Sequence, residues 1–210
     1  DRGVAAAIQA DGKIVVAGES NLFGTANVQL LRFNSNGSSD ASFSGNGRRV
    51  YDEPAAEDHA QAVAIQNGKI LVAGYTNRFG SNDILLLRFN ANATLDATFD
   101  GDGRRIFISS GDDRAQATAV QPDGKIVVAG YTNVLGSNDF FILRFNVNGS
   151  LDSSFDNDGR VILSGSGNDR ALAVALQLDG KIVVAGTTDV SGNNDFLIIR
   201  LTANGSVDGT

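Results

Sequence analysis

The residues that could do chemistry recur at a fixed spacing. Arg2, His59, Arg114 and Arg170 each follow an aspartate (Asp1, Asp58, Asp113, Asp169), so four cationic positions repeat along the chain. Brought together, they could hold an anion or an acidic sugar. The plainer reading is ion pairing between packed units, because strict recurrence is what packing geometry demands. His59 is the only histidine and occupies the slot that arginine takes elsewhere, which makes it a substituted cation and a poor general base. Asp100-Gly101-Asp102-Gly103 and Asp156-Asn157-Asp158-Gly159 alternate acidic oxygens ahead of a glycine, as the opening of a calcium loop does. The later ligands of such a loop are missing, and the first copy reads Ser44-Gly45-Asn46-Gly47. Asp100, Asp102, Asp156 and Asp158 are therefore calcium candidates on turns that need no metal. Arg32, Arg88, Arg144 and Arg200 lie inside apolar runs, each eight residues before Asp40, Asp96, Asp152 or Asp208. A buried guanidinium needs a carboxylate, and this spacing supplies one across a turn. Asn36, Asn92, Asn148 and Asn204 open Asn-x-Ser/Thr sequons, in a turn where such residues are expected anyway.

Composition excludes much else. The 210 residues contain no Cys, Met or Trp, so disulfides and cysteine-ligated metals are out. The formal net charge of -7 argues against nucleic acid and anionic membranes as partners. No apolar run approaches the ~20 residues of a membrane helix. No cofactor motif is present, and no nucleophile–base set is evident.

The elements that must position these residues follow from internal repetition. The four lysines, Lys13, Lys69, Lys125 and Lys181, stand 56 residues apart, within DGKIVVAG or NGKILVAG. LLRFN, LLRFN, ILRFN and IIRLT follow at the same period, and then SSDASF, TLDATF, SLDSSF and SVDGT. The repeat units run approximately 1–56, 57–112, 113–168 and 169–210, and together they form one domain over 1–210. The last unit is short by 14 residues, which match the segment from Phe99 to Asp112. Each unit holds short β-branched or aromatic runs bounded by Gly, Asn and Asp, such as Ala115–Gln121, Lys125–Tyr131, Asp139–Asn146 and Arg160–Ser164. No segment shows helical apolar spacing. Pro122-Asp123-Gly124 suits a three-residue hairpin loop, and Asn67-Gly68 suits a two-residue one, so the facing strands keep their partners despite the deletion.

The chain is thus predicted to be all-β. Four copies of a four-stranded antiparallel blade make a β-propeller, either a closed four-blade ring or an arc of a larger one. About fifteen strands are expected, since the outer strand of the fourth copy is missing. A β-solenoid is the rival architecture, but its coils are shorter. The run QPDGKIVVAG at 121–130, RFN at 144–146 and NGSLDSSF at 148–155 resembles the delta-60 repeat family of bacterial propellers, and the resemblance extends over all four units. It implies a propeller fold and a secreted or cell-surface bacterial protein, and it assigns no catalytic residues. The loops between second and third strands vary most and carry Phe23, Arg78, Phe79 and Leu135. Binding residues tend to sit on variable loops over a rigid scaffold. The expected function is a non-enzymatic binding or scaffolding module for a protein or glycan ligand. Further blades or a second copy of the chain are possible partners. The alternative is a carbohydrate-active enzyme with paired carboxylates on the face bearing those loops. The chain starts within a unit at Asp1 and stops inside a turn motif at Thr210, as expected of a piece of a longer protein.

Overall fold

The computed structural model describes every residue except Phe23, Ser166, Ser191 and Thr210. The described residues form fifteen strands and no helix. Blade 1 consists of β1 (Arg2–Ile8), β2 (Ile14–Ser20), β3 (Asn27–Phe33) and β4 (Arg48–Tyr51). Blade 2 has β5 (Asp58–Gln66), β6 (Lys69–Thr76), β7 (Asp83–Phe89) and β8 (Arg104–Phe107). Blade 3 has β9 (Asp113–Val120), β10 (Ile126–Thr132), β11 (Asp139–Phe145) and β12 (Arg160–Leu163). Blade 4 has β13 (Arg170–Leu176), β14 (Ile182–Thr188) and β15 (Asp195–Leu201). Each blade is its own antiparallel sheet with strands in chain order, four in each of the first three and three in the last. The chain divides into two compact units, Asp1–Ile108 and Ser109–Thr210, each holding two blades.

The two hairpin designs both form. Gly124 takes a left-handed φ of 84°, and its N–H donates to Gln121 while Gln121 N–H donates to Lys125 O, a three-residue loop closed by glycine. In blade 2, Gln66 pairs directly with Lys69, and Asn67 and Gly68 both have positive φ, as a type I′ turn demands. One residue is lost without any shift in the facing strands.

The glycine of each VAG run has a steric cause. The first strand of every blade carries a β-bulge: register slips between Gly3 and Ala5, Ala60 and Ala62, Ala115 and Ala117, and Ala171 and Ala173. The bulge drives the carbonyl of Arg2, His59, Arg114 or Arg170 onto Gly18, Gly74, Gly130 or Gly186, where a Cβ would overlap the oxygen. The extra residue of each bulge is Val4, Gln61, Gln116 or Leu172, and the repeating cation two positions earlier keeps its partner on the second strand.

Core formation follows the repeat. The second and third strands of blades 2 and 3 are almost entirely buried on both faces, as stacked sheets require. In the first unit, Val15, Ala17, Val28 and Leu30 of blade 1 pack on Ile70, Val72, Leu85 and Leu87 of blade 2. In the second, Val127, Ala129, Phe140 and Ile142 of blade 3 pack on Ile182, Val184, Leu197 and Ile199 of blade 4. The first blade of each pair presents the even-numbered residues of its third strand and the second presents the odd-numbered ones.

Candidate functional site

The arginine–aspartate pairs form at the end of each sheet that carries the lysine hairpin. Arg32, Arg88, Arg144 and Arg200 donate from Nε to Asp40, Asp96, Asp152 and Asp208 at 2.6–2.7 Å. In the first three blades, Nη2 reaches Ser42, Thr98 or Ser154, and the guanidinium lies 4.6–4.7 Å from the ring of Phe43, Phe99 or Phe155. The repeating lysine adds a second cation: Lys13, Lys69, Lys125 and Lys181 lie 3.3, 2.5, 2.9 and 2.9 Å from the same aspartates. For Asp40, hydrogen bonds from Ser42 and Arg32 hold the carboxyl well below the usual carboxylate range. Burial pushes Asp96 and Asp152 upward, but bonds from Lys69 and Thr98, and from Ser154 and Lys125, outweigh it and hold them well below as well. The arginine was legible from its eight-residue spacing. The lysine was not, because it reaches the aspartate across the hairpin and not along the chain.

At the opposite end, which we term the loop face, sit the cations opening each first strand. His59 Nδ1 lies 2.9 Å from Glu19 Oε1 of blade 1, and the ring stacks on Tyr75 with centroids 4.5 Å apart. Arg114 binds Asp112 through two nitrogens, at 2.9 and 3.1 Å. Arg170 lies over the ring of Tyr131 in blade 3 at 5.1 Å. Arg2 is exposed and stands opposite Glu19 in register. Between repeat units, His59 meets Glu19 through a hydrogen bond, and at Arg170 a cation–π contact stands where an ion pair was expected. The neighbouring aspartates need correction. Asp58, Asp113 and Asp169 turn inward and are buried, apart from the cations that follow them. Burial pushes the Asp58 and Asp113 carboxyls up, at Asp58 against a hydrogen bond from Thr76. Asp139, at the start of β11, is also buried and has no hydrogen-bond donor to either oxygen among the described residues. Burial, with the charge of Asp169 added, raises it too.

The variable loops join second to third strands at this face. Each closes a turn of the form Asn/Asp-x-x-Gly: Gly24, Gly80, Gly136 and Gly192 donate to the carbonyls of Asn21, Asn77, Asn133 and Asp189. The side-chain oxygen of the first turn residue also accepts from the backbone of the preceding crossover: Asn77 from Glu57 at 2.8 Å, Asn133 from Asp112 at 2.6 Å, and Asp189 from Asn168. The loops are thus anchored at their bases, and their tips project. Phe79 is 54% exposed and Leu135 63%, and Leu22, Val134 and Val190 are exposed on the corresponding loops of their own blades. Phe23 lies outside the described residues. Leu22, Val134 and Val190 occupy the same two-residue tip, so the repeat alignment was the signal that could have found them. Arg78 lies 5.7 Å from the Phe79 ring and ion-pairs with Glu53, which also binds Arg104 and accepts from the Tyr51 hydroxyl at 2.8 Å. Burial raises that hydroxyl. Arg78, Phe79, Asp100, Asp102, Arg104 and Ile106 line a cleft in blade 2.

The calcium candidates are turned to other partners. Asp102 binds Arg104 at 2.9 Å, Asp100 binds Arg105 at 3.2 Å and Asp158 binds Arg160 at 2.6 Å. Asp100 and Asp156 adopt positive φ of 49° and 47°, so the acidic residues sit where a tight left-handed turn favours Asp or Asn. Among the described residues no group of three His, Cys, Asp or Glu is placed to hold a metal.

Solved structures share this architecture. One is an endo-arabinase from Bacteroides thetaiotaomicron VPI-5482, with a TM-score of 0.54 and 7% identity over 99% of this chain and 79% of that one. Another is a gluconolactonase from Xanthomonas campestris, with a TM-score of 0.49 and 16% identity over 86% of this chain. The aligned part spans 52% of that enzyme, about half its length. At such identities the likeness is one of fold alone. No curated protein matches the sequence. Residues 9–43, 65–99, 121–155 and 177–210 each match one family, and with four matches over most of its length the chain belongs to the family described as a domain of unknown function (DUF5122) β-propeller.

Proposed function

We propose that this chain is a non-enzymatic binding or scaffolding module of a secreted or cell-surface bacterial protein, holding a glycan or protein ligand on its loop face. One observation carries the reading: the loop tips hold apolar side chains in solvent on turns whose bases are fixed by hydrogen bonds. An apolar anchor flanked by polar groups, presented without loss of loop entropy, is how binding surfaces are built. Phe79 with Arg78, and Leu135 with Val134, are the anchors. The compartment rests on the resemblance to large bacterial propeller proteins.

The enzyme alternative needs two carboxylates open to a substrate. Asp139 and Asp169 do interact, and Asp139 has a raised pKa, but both are sealed from solvent. Asp102 and Asp158, which are exposed, and Asp112, which is half-buried, are paired with arginines. The same reading takes the four blades as an arc of a larger propeller, because Ile8 at one end and Phe196 at the other stay exposed.

The test is an array of bacterial and plant polysaccharides probed with the native chain and with Phe79→Ser and Leu135→Ser. Binding that either substitution weakens about tenfold or more, a loss of about 1.4 kcal/mol, supports the reading. Release of sugars from the same panel by the native chain would overturn it.

A further inference from the structure

The repeat makes each blade a measurement of the next, and two faces fail to match. On third strands, Val28 and Leu30, Ile84 and Leu86, and Phe140 and Ile142 are all buried. Their counterparts in blade 4, Phe196 and Ile198, are 95% and 69% exposed. In blade 3, Phe140 and Ile142 pack against the face that blade 4 presents, including Val174 and Leu176 of its first strand. Blade 2 presents Val63 and Ile65 to blade 1 in the same way. The residue of blade 1 equivalent to Ile65 and Leu176 is Ile8, and it is 72% exposed. Val16 and Leu31, on the same face of blade 1, are half-buried where their blade 2 counterparts Val72 and Leu87 are buried. That face also carries shallow clefts at Gly3 and Val16.

The two uncovered faces are therefore the two halves of an interface that the chain already builds twice within itself. We infer that a second copy of the chain seats its blade 1 on blade 4 of the first, with Ile8 and Val16 of one copy against Phe196 and Ile198 of the other. The association is head-to-tail, so each copy retains one open face until the assembly closes. This inference rests on the arc reading given above and goes beyond the ligand reading, which it does not need.

Sedimentation of the native chain across a wide concentration range tests it. The expected result is a mass at least double that of one chain, reduced to a single chain by Phe196→Asp or by Ile8→Asp. Mixing the two variants leaves one intact pair of faces, so the mixture forms a two-chain species and nothing larger. An assembly that survives both substitutions, or a mixture that stays single-chain, would overturn the inference, since a two-fold symmetric or non-specific contact behaves so. A native chain that is monomeric throughout also overturns it. The chain has no cysteine, so a thiol introduced as Phe196→Cys then separates the two failures. Fast labelling of the monomer leaves the arc standing, whereas a protected thiol means that the face is covered within one chain and both readings fall.

Discussion

The guanidinium of Arg88 shows how far a single position is determined by its surroundings. It sits in a fully buried strand, donates to Asp96 and to Thr98, bonds Gln66 at 2.7 Å and lies over Phe99. Removing it leaves a buried carboxylate with only Lys69 for a cation, and breaking such a pair costs roughly 3–5 kcal/mol. Arg104 also has carboxylate partners, Glu53 and Asp102, but its side chain is about one-third exposed, where a pair is worth about 1 kcal/mol or less. Arg88→Ala is expected to lower the denaturation midpoint much more than Arg104→Ala, and equal shifts in a urea titration would contradict the assignment. The carboxyls divide by sign. Asp96 and Asp152 are held below their unfolded values, so the stability they add is complete above about pH 4 and is lost as pH falls below it. Asp139 is raised, so its relative contribution is complete below about pH 4 and is lost as pH rises through its folded value. Asp139→Asn should therefore stabilise the protein at pH 7 by roughly 1–3 kcal/mol, the cost of a buried group without donors, and the gain should fade towards pH 3. A gain independent of pH would show that charge is not its source. Of these residues, sequence revealed the arginine and its aspartate, since both recur at a spacing with a chemical meaning. It did not reveal that the aspartates at 58, 113 and 169 turn inward, because an Asp-Arg dipeptide reads as a pair only while both side chains are assumed to share a face.

At the scale of the element, the first strand of each blade is rich in alanine and carries a bulge. The bulge makes the glycine of the second strand obligatory. Gly130 is not needed for a left-handed backbone, since its φ is not positive; it is needed because the carbonyl of Arg114 occupies the space of a side chain. Gly130→Ala must either straighten the bulge or separate β9 from β10, and forced overpacking of this kind costs 1–3 kcal/mol and occasionally more. Gly136→Ala, on the neighbouring loop, meets no atom within 4 Å and suffers only its positive φ of 107°. Thermal melts should show Gly130→Ala as the more damaging of the two, and the reverse order would mean that the bulge yields easily. Strand number and hairpin type were legible because turn chemistry and β-branched runs are local signals. The bulge was not, since it is a relation between two strands and leaves no mark on either taken alone.

For the whole molecule, the 56-residue period was enough to fix four blades, and the 14 residues missing from the last copy were enough to leave it with three strands. What period alone could not supply was the exposure of the outer faces of blades 1 and 4, because a repeat specifies how each blade meets the next and says nothing of a face whose neighbour is not in the sequence given. That asymmetry has a measurable consequence. In a repeat protein, stability is a sum of each unit's own term and its contacts with neighbours. β10 and β14 have the same IVVAG core, so their intrinsic terms are nearly equal. β10 lies in a four-stranded sheet and is buried along nearly its whole length, whereas β14 lies in a three-stranded sheet, and its Val183 and Ala185 are only half-buried. Local opening should therefore cost less in blade 4. In native-state hydrogen exchange, the amides of Ile182–Thr188 are expected to exchange at least about tenfold faster than those of Ile126–Thr132, a difference of about 1.4 kcal/mol in opening free energy. The comparison carries its own control, since the two segments share six of seven residues as well as pH and temperature. If copies seat head-to-tail, the gap narrows as the chain is concentrated, and Phe196→Asp restores it. Equal exchange in the two strands at every concentration, with or without that substitution, would show that blade 4 is stabilised by something other than a neighbouring blade.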